Sequence, residues 1–161
     1  ILVNDCSKDN SGNAIRAVCS KNELVKGIFL SRNFGQQIAM SAGISNARGK
    51  YVLIMDGDMQ NPPMEIPNLY SAITNGSGRD IVYAVSKTRN SRWDEFTSTV
   101  FWYTITQILK VNIIKNQLMM KIMSREFINR YNLYREISRT VSGIMNDISD
   151  NHDVIEIKNR K

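Results

Sequence analysis

The sequence predicts an α/β fold, a mainly parallel β-sheet flanked by helices. Three observations lead there. Short apolar runs alternate with segments of helical composition along the chain, and strand–helix–strand alternation is the pattern of parallel sheets. The run Tyr51-Val52-Leu53-Ile54-Met55 is apolar throughout and bounded by turn residues, as a strand covered on both faces would be. That run delivers Asp56-Gly57-Asp58 and then Gln60 at its end, the place where open α/β sheets bind ligands.

The elements follow in order. Ile1-Leu2-Val3 is a strand without lead-in, so the chain is expected to open in mid-fold. It runs into the polar loop Asn4 to Ser11, which can cap a helix from about Gly12 to Ser20. Leu24 to Leu30 forms the next strand, and Arg32 follows at its carboxyl end. A guanidinium there can clamp phosphate or contact a base, or simply occupy a loop surface. The helix Gln36 to Ala47 is rich in Ala, Ser and Gly, which would let it lie close on a sheet. After the Tyr51 strand, Pro62-Pro63 stiffen the exit and start a helix at Met64 or Glu65 that runs to about Thr74.

Asn75-Gly76-Ser77-Gly78 is a breaker. Asp80 to Val85 is a strand that delivers Lys87 and Arg89, and Trp93 to Lys110 reads as one helix with Phe96, Val100, Tyr103 and Ile108 among its apolar positions. Leu118 to Met123 is a further strand. Its Met119, Met120 and Met123 read as a flexible binding surface or, by the burial habit of methionine, as core. Helical sequence resumes over Arg125 to Tyr131 and Tyr134 to about Met145, His152 falls in a polar surface loop, and Asp153 to Lys161 ends as a strand.

Composition narrows the class. A chain of 161 residues, 42% hydrophobic, is expected to be a single domain with a proper core. Cys6 and Cys19 are too few for a disulfide scaffold and fit no metal spacing, which favours a reducing, cytoplasmic setting. Nothing reaches the roughly 18 consecutive apolar residues of a transmembrane helix. The formal charge of +6 suggests anionic partners: nucleotide phosphates or anionic lipid. Nucleic acid is not expected, since no helix-turn-helix, zinc-finger or RNP-like pattern occurs.

Asp56, Asp58 and Gln60 offer two carboxylates and an amide oxygen, a hard-oxygen set suited to Mg²⁺ or Mn²⁺. Such an ion keeps one or two protein carboxylates and takes its remaining ligands from water and substrate phosphates. The stretch therefore suggests a site for a metal-bound phosphate compound.

The blocks Leu30-Ser31-Arg32-Asn33-Phe34-Gly35-Gln36, Ala42-Gly43, Ala47-Arg48-Gly49 and Met55 to Pro63 closely resemble the family 2 glycosyltransferases. More narrowly they resemble polyprenyl-phosphate glycosyltransferases of the dolichol-phosphate mannose synthase type. The resemblance weakens after about Trp93. It implies a GT-A nucleotide-diphospho-sugar transferase fold and inverting, metal-dependent transfer from a UDP-, GDP- or dTDP-linked sugar. The acceptor would be a lipid phosphate, or a lipid-linked or free saccharide, in cell-envelope glycan synthesis. Peripheral contact with the cytoplasmic face of a membrane goes with that chemistry. A scaffold that binds nucleotide without catalysis is the alternative. The resemblance also implies a chain cut short at both ends, without the family's first, base-holding strand and without any membrane segment.

Residue by residue, the resemblance gives Asp58, with Asp56 and Gln60, the metal and donor diphosphate. Asp5 stands at the family's second aspartate, which contacts the nucleoside, although helix capping also accounts for it. Asn4 replaces the first acid and Cys6 replaces a glycine. Lys87 and Arg89 fit the basic segment that meets the acceptor's phosphate. Asp94-Glu95 stand where relatives carry Lys or Arg, a departure that favours a hydroxyl acceptor, and Met119 stands where several relatives carry an acid near the acceptor. Glu136 lies where hydroxyl-acceptor enzymes place their general base, or else pairs with Arg135 and Arg139 in solvent.

Overall fold

The structure, a computed structural model, describes residues 1–58, 61–75, 78–86, 114, 116–134 and 141–157. They fall into two compact units that interleave along the sequence. One comprises Ile1–Val52 with Arg125–Ile148, the other Leu53–Ser124 with Ser149–Lys161. The expected helix Trp93 to Lys110 lies outside the described residues, with Asp94 and Glu95.

In the first unit β1 (Leu2–Asn4) and β2 (Gly27–Phe29) pair in parallel, Leu2 opposite Gly27 and Asn4 opposite Phe29. Helix α1 (Ser11–Lys21) connects them. β2 is shorter than the expected strand because Asn22 folds the preceding residues into a turn. Its Oδ1 accepts the Leu24 N–H at 2.9 Å and its carbonyl the Val25 N–H at 3.0 Å, leaving Leu24 in solvent. Helix α2 (Gln36–Asn46) lies on β1 as its small residues suggest. A Cβ added at Gly43 would come within 3.3 Å of Val3 Cγ2.

Helices α4 (Arg125–Leu133) and α5 (Val141–Ile148) complete this unit against α2. Ile44, Phe127, Ile128, Tyr131 and Val141 are buried, and the Ser41 and Tyr131 hydroxyls meet at 2.7 Å within that core. Tyr134 is not helical, residues 135–140 lie outside the described set, and of the expected helix Tyr134 to about Met145 the part from Val141 onward is seen.

The second unit holds a sheet of order β3-β5-β4-β6. Its strands are β3 (Tyr51–Ile54), β4 (Ile81–Ser86), β5 (Gln117–Ser124) and β6 (His152–Ile157), with the boundary between the units falling inside β3. β6 runs parallel to β4 but β5 runs antiparallel to it, Ile81 opposite Met123 and Tyr83 opposite Lys121. The sheet is thus mixed, which corrects the expectation of a mainly parallel one. β5 enters between strands already implied by the alternation, and its direction is set by pairing, which composition does not encode. Ile81–Val85 are all buried, the signature of a central strand. Helix α3 (Ile66–Asn75), introduced by a 3₁₀ turn at Pro63–Glu65, covers this sheet with Leu69 and Ile73.

His152 is also corrected. It opens β6, half-buried, with its ring edge-on to Tyr83 at 5.9 Å between centroids. The three methionines follow the core reading in part: Met120 and Met123 are fully buried and Met119 half-buried.

Candidate donor-binding residues

β3 ends at Ile54, and the chain then carries Asp56 half-buried and Asp58 exposed. The turn is anchored on its far side, where Asn61 and Pro62 are buried and the Pro62 carbonyl accepts the Glu65 N–H at 3.1 Å. Both carboxylates therefore sit just past a strand's carboxyl end, as expected. Among the described residues no group of three or more His, Cys, Asp and Glu side chains could enclose a metal ion. Hard carboxylate oxygens suit Mg²⁺ or Mn²⁺, which draws its other ligands from water and phosphate. The donor set fits such an ion. Gln60, expected to assist, lies outside the described residues.

One charged group near this pair was missed by the sequence reading. Lys121 of β5 is 1% exposed, its Nζ 5.7 Å from the centroid of the Tyr83 ring across the ladder. Burial lowers its pKa to about 8, and the Asp56 carboxylate acts in the opposite sense. The signal was a lysine inside the apolar run Leu118 to Met123, where a surface strand would have alternated.

Asp5 and Arg32 belong to the first unit. Asp5 follows β1, and its two carboxylate oxygens accept the backbone N–H groups of Phe34 and Gly35, each at 2.8 Å. The aspartate expected at the nucleoside thus ties down the loop that begins α2. Gly35 has φ +91, a left-handed value that a side chain rarely adopts, which gives the Asn-Phe-Gly block a structural reason. Arg32, two residues before Phe34, is exposed, and its guanidinium lies 4.7 Å from the Phe34 ring centroid.

A cavity of about 290 Å³ in the same unit is lined in part by Asn4, Cys6, Ser7, Arg16 and Phe29. Arg16 stacks over Phe29 at 4.0 Å. Asn4, in place of an acid, is buried and accepts the Ser7 N–H through Oδ1 at 2.8 Å. Cys6, in place of a glycine, has φ +55 and so carries the strain a glycine would avoid. Lys87, Arg89 and Glu136 lie outside the described residues.

The sequence model described as Glycosyl transferase family 2 matches residues 1–137. The chain belongs to that family. It has the family's GT-A fold, here with a mixed sheet. This family 2 glycosyltransferase chain is 35% identical over 146 residues to the uncharacterized glycosyltransferase sll0501 of Synechocystis sp., covering 89% of the chain and 45% of that protein. It is 44% identical over 77 residues to an undecaprenyl-phosphate 4-deoxy-4-formamido-L-arabinose transferase of Shewanella sediminis, covering 47% of the chain and 23% of that protein. A protein of the same description from Aeromonas hydrophila subsp. hydrophila is 38% identical over 100 residues, covering 62% of the chain and 30% of that protein. The chain spans less than half the length of these relatives. Among the described residues of the glycosyltransferase chain no helix is long and apolar enough to cross a membrane.

Proposed function

We propose that residues 1–161 form a single catalytic domain that transfers a sugar, with inversion, from a nucleotide-sugar donor to a polyprenyl phosphate in cell-envelope glycan synthesis. The work would take place at the cytoplasmic face of a membrane. The observation that carries the reading is the Asp56–Asp58 pair just past the end of β3 in a chain of this family. Two relatives described as undecaprenyl-phosphate sugar transferases support a lipid-phosphate acceptor.

Asp58, with Asp56 and Gln60, would hold Mg²⁺ or Mn²⁺, which supplies charge stabilisation to the departing diphosphate. Asp5 fixes the loop that carries Arg32, and Arg32 would serve as a cation for a phosphate of the donor. Lys87 and Arg89 follow β4 and would meet the acceptor's phosphate. That phosphate arrives ionised and needs no base. Only a hydroxyl acceptor calls for a carboxylate to take a proton, and Glu136 is the candidate for it.

Calorimetry with UDP, GDP and dTDP in the presence of Mn²⁺ tests the donor site. One of the three is expected to bind, with affinity reduced about tenfold or more by EDTA or by Asp58→Ala, the scale of losing a charge-assisted contact. Binding indifferent to both treatments would overturn the metal-dependent reading. Binding without turnover of any donor would favour the non-catalytic scaffold.

A further inference from the structure

Asp5, which the resemblance puts at the nucleoside, has both carboxylate oxygens occupied by the Phe34 and Gly35 N–H groups. Its neighbour Asn4 is differently placed. Asn4 is 7% exposed, lines the cavity of about 290 Å³, and uses only its Oδ1, which accepts the Ser7 N–H at 2.8 Å. Its Nδ2 has no hydrogen-bond partner among the described residues. A buried amide donor left unmade is costly, and native structures seldom tolerate one without a reason. This one lies against Gly12 of α1, itself on the cavity wall, where an added Cβ would come within 3.0 Å of Nδ2. Arg16 supplies the second feature. Its guanidinium lies over the Phe29 ring at 4.0 Å, with no hydrogen bond or ion pair among the described residues, and the residue is exposed. A guanidinium resting on an aromatic ring offers N–H donors at its edge and a face to a further planar group.

We propose that this cavity holds the base of the donor nucleotide, and that Asn4 Nδ2 selects a base with a ring carbonyl where cytosine and adenine carry an amino group. The proposal rests on the nucleotide-sugar reading above and narrows the base to uracil, thymine or guanine. Asn4 would donate to that carbonyl and Arg16 would stack on the ring, while Asp5 acts only through the loop it fixes. The volume stands at the lower end of ligand pockets, room for one heterocycle but not for a whole sugar nucleotide. An inorganic anion suits the cavity less well. The Asp9 carboxylate, whose Oδ1 accepts the Ser11 N–H at 2.9 Å, is on the same wall and would repel it.

The test is saturation-transfer NMR of free uridine, thymidine, guanosine, cytidine and adenosine in EDTA, with wild type, Asn4→Asp and Arg16→Ala. Free nucleosides carry no phosphate, so the result is independent of any metal. One of the first three is expected to give a signal about fivefold or more above cytidine and adenosine, the scale of one hydrogen bond. Asn4→Asp keeps the acceptor for Ser7 and removes only the donor, and it is expected to erase that preference. Arg16→Ala, at an exposed position, is expected to weaken the signal by a similar factor. The matching nucleoside diphosphate with Mn²⁺ is expected to displace the nucleoside. A preference that survives in Asn4→Asp, or a signal unchanged in Arg16→Ala, overturns the proposal. So does a nucleoside that the diphosphate leaves in place, which would be a ligand separate from the donor. Wild type that binds a nucleoside diphosphate with Mn²⁺ but no nucleoside overturns the base subsite and leaves the donor reading standing. A bound nucleoside without binding of any diphosphate overturns the donor reading first, and the assignment of the base to a donor with it.

Discussion

Lys121 is the residue whose environment departs furthest from what its type ordinarily accepts. Its pKa falls from 10.5 to about 8 through burial, so between those values the unfolded chain holds a proton the folded chain has released. Stability therefore rises with pH across that window, by up to roughly 3 kcal/mol. Tyr83, raised by burial from 10.0 to about 12, works the other way above pH 10, where only the folded chain keeps the proton. Thermal unfolding of wild type is expected to gain stability from pH 8 to 10, and Lys121→Met is expected to lack that gain. Equal pH dependence in the two proteins would remove the buried charge from the account. Lys121 went unread, although a lysine interrupting the apolar run Leu118 to Met123 was there to be noticed. The bonds of Asp5 to Phe34 and Gly35, about thirty residues away, were not, because a carboxylate that binds ligand and one that binds backbone look alike in one dimension. Gly49 belongs with them: a Cβ there would sit 2.8 Å from the Tyr51 carbonyl oxygen, and the Arg125 guanidinium bonds the Gly49 carbonyl. The Ala-Arg-Gly block carries a packing constraint beside any role in recognition.

Among the elements, α2 was readable nearly to the residue, since Gly35 opens it in a left-handed conformation and its small residues announce a close neighbour. What closes α5 was hidden. The Val141 N–H, at the first turn of α5, donates to Gln37 Oε1 at 2.9 Å, a side-chain cap supplied from another helix. Gln37→Ala is expected to cost about 1 kcal/mol, within the range of lost helix caps, and Gln37→Glu to cost less because an acceptor remains at a helix N-terminus. Denaturant midpoints of the two variants decide it; equal losses would mean the cap contributes nothing. The direction of β5 was equally invisible, because an apolar strand pairs either way and its partner strand alone selects the sense.

Across the whole molecule, the α/β class and the position of the two carboxylates past β3 followed from apolar runs and turn residues. The division into interleaved units did not, since it depends on contacts between distant segments. That interleaving bears on how the chain acquires its structure. Ile1–Val52 shares its core with Arg125–Ile148, and β4 gains its parallel neighbour only from His152–Ile157. Neither unit is a continuous piece of chain. A peptide of residues 1–52 is expected to show little helix by circular dichroism, because the partners that bury Ile44 and Ser41 are missing. Emerging from a ribosome, β1, α1, β2 and α2 would wait through some seventy further residues before α4 arrives to cover them. Long-range closure of this kind slows folding and prolongs the exposure of apolar surface. Synthesis of this chain is thus a period of vulnerability, in which a chaperone that shields α2 would find its longest engagement.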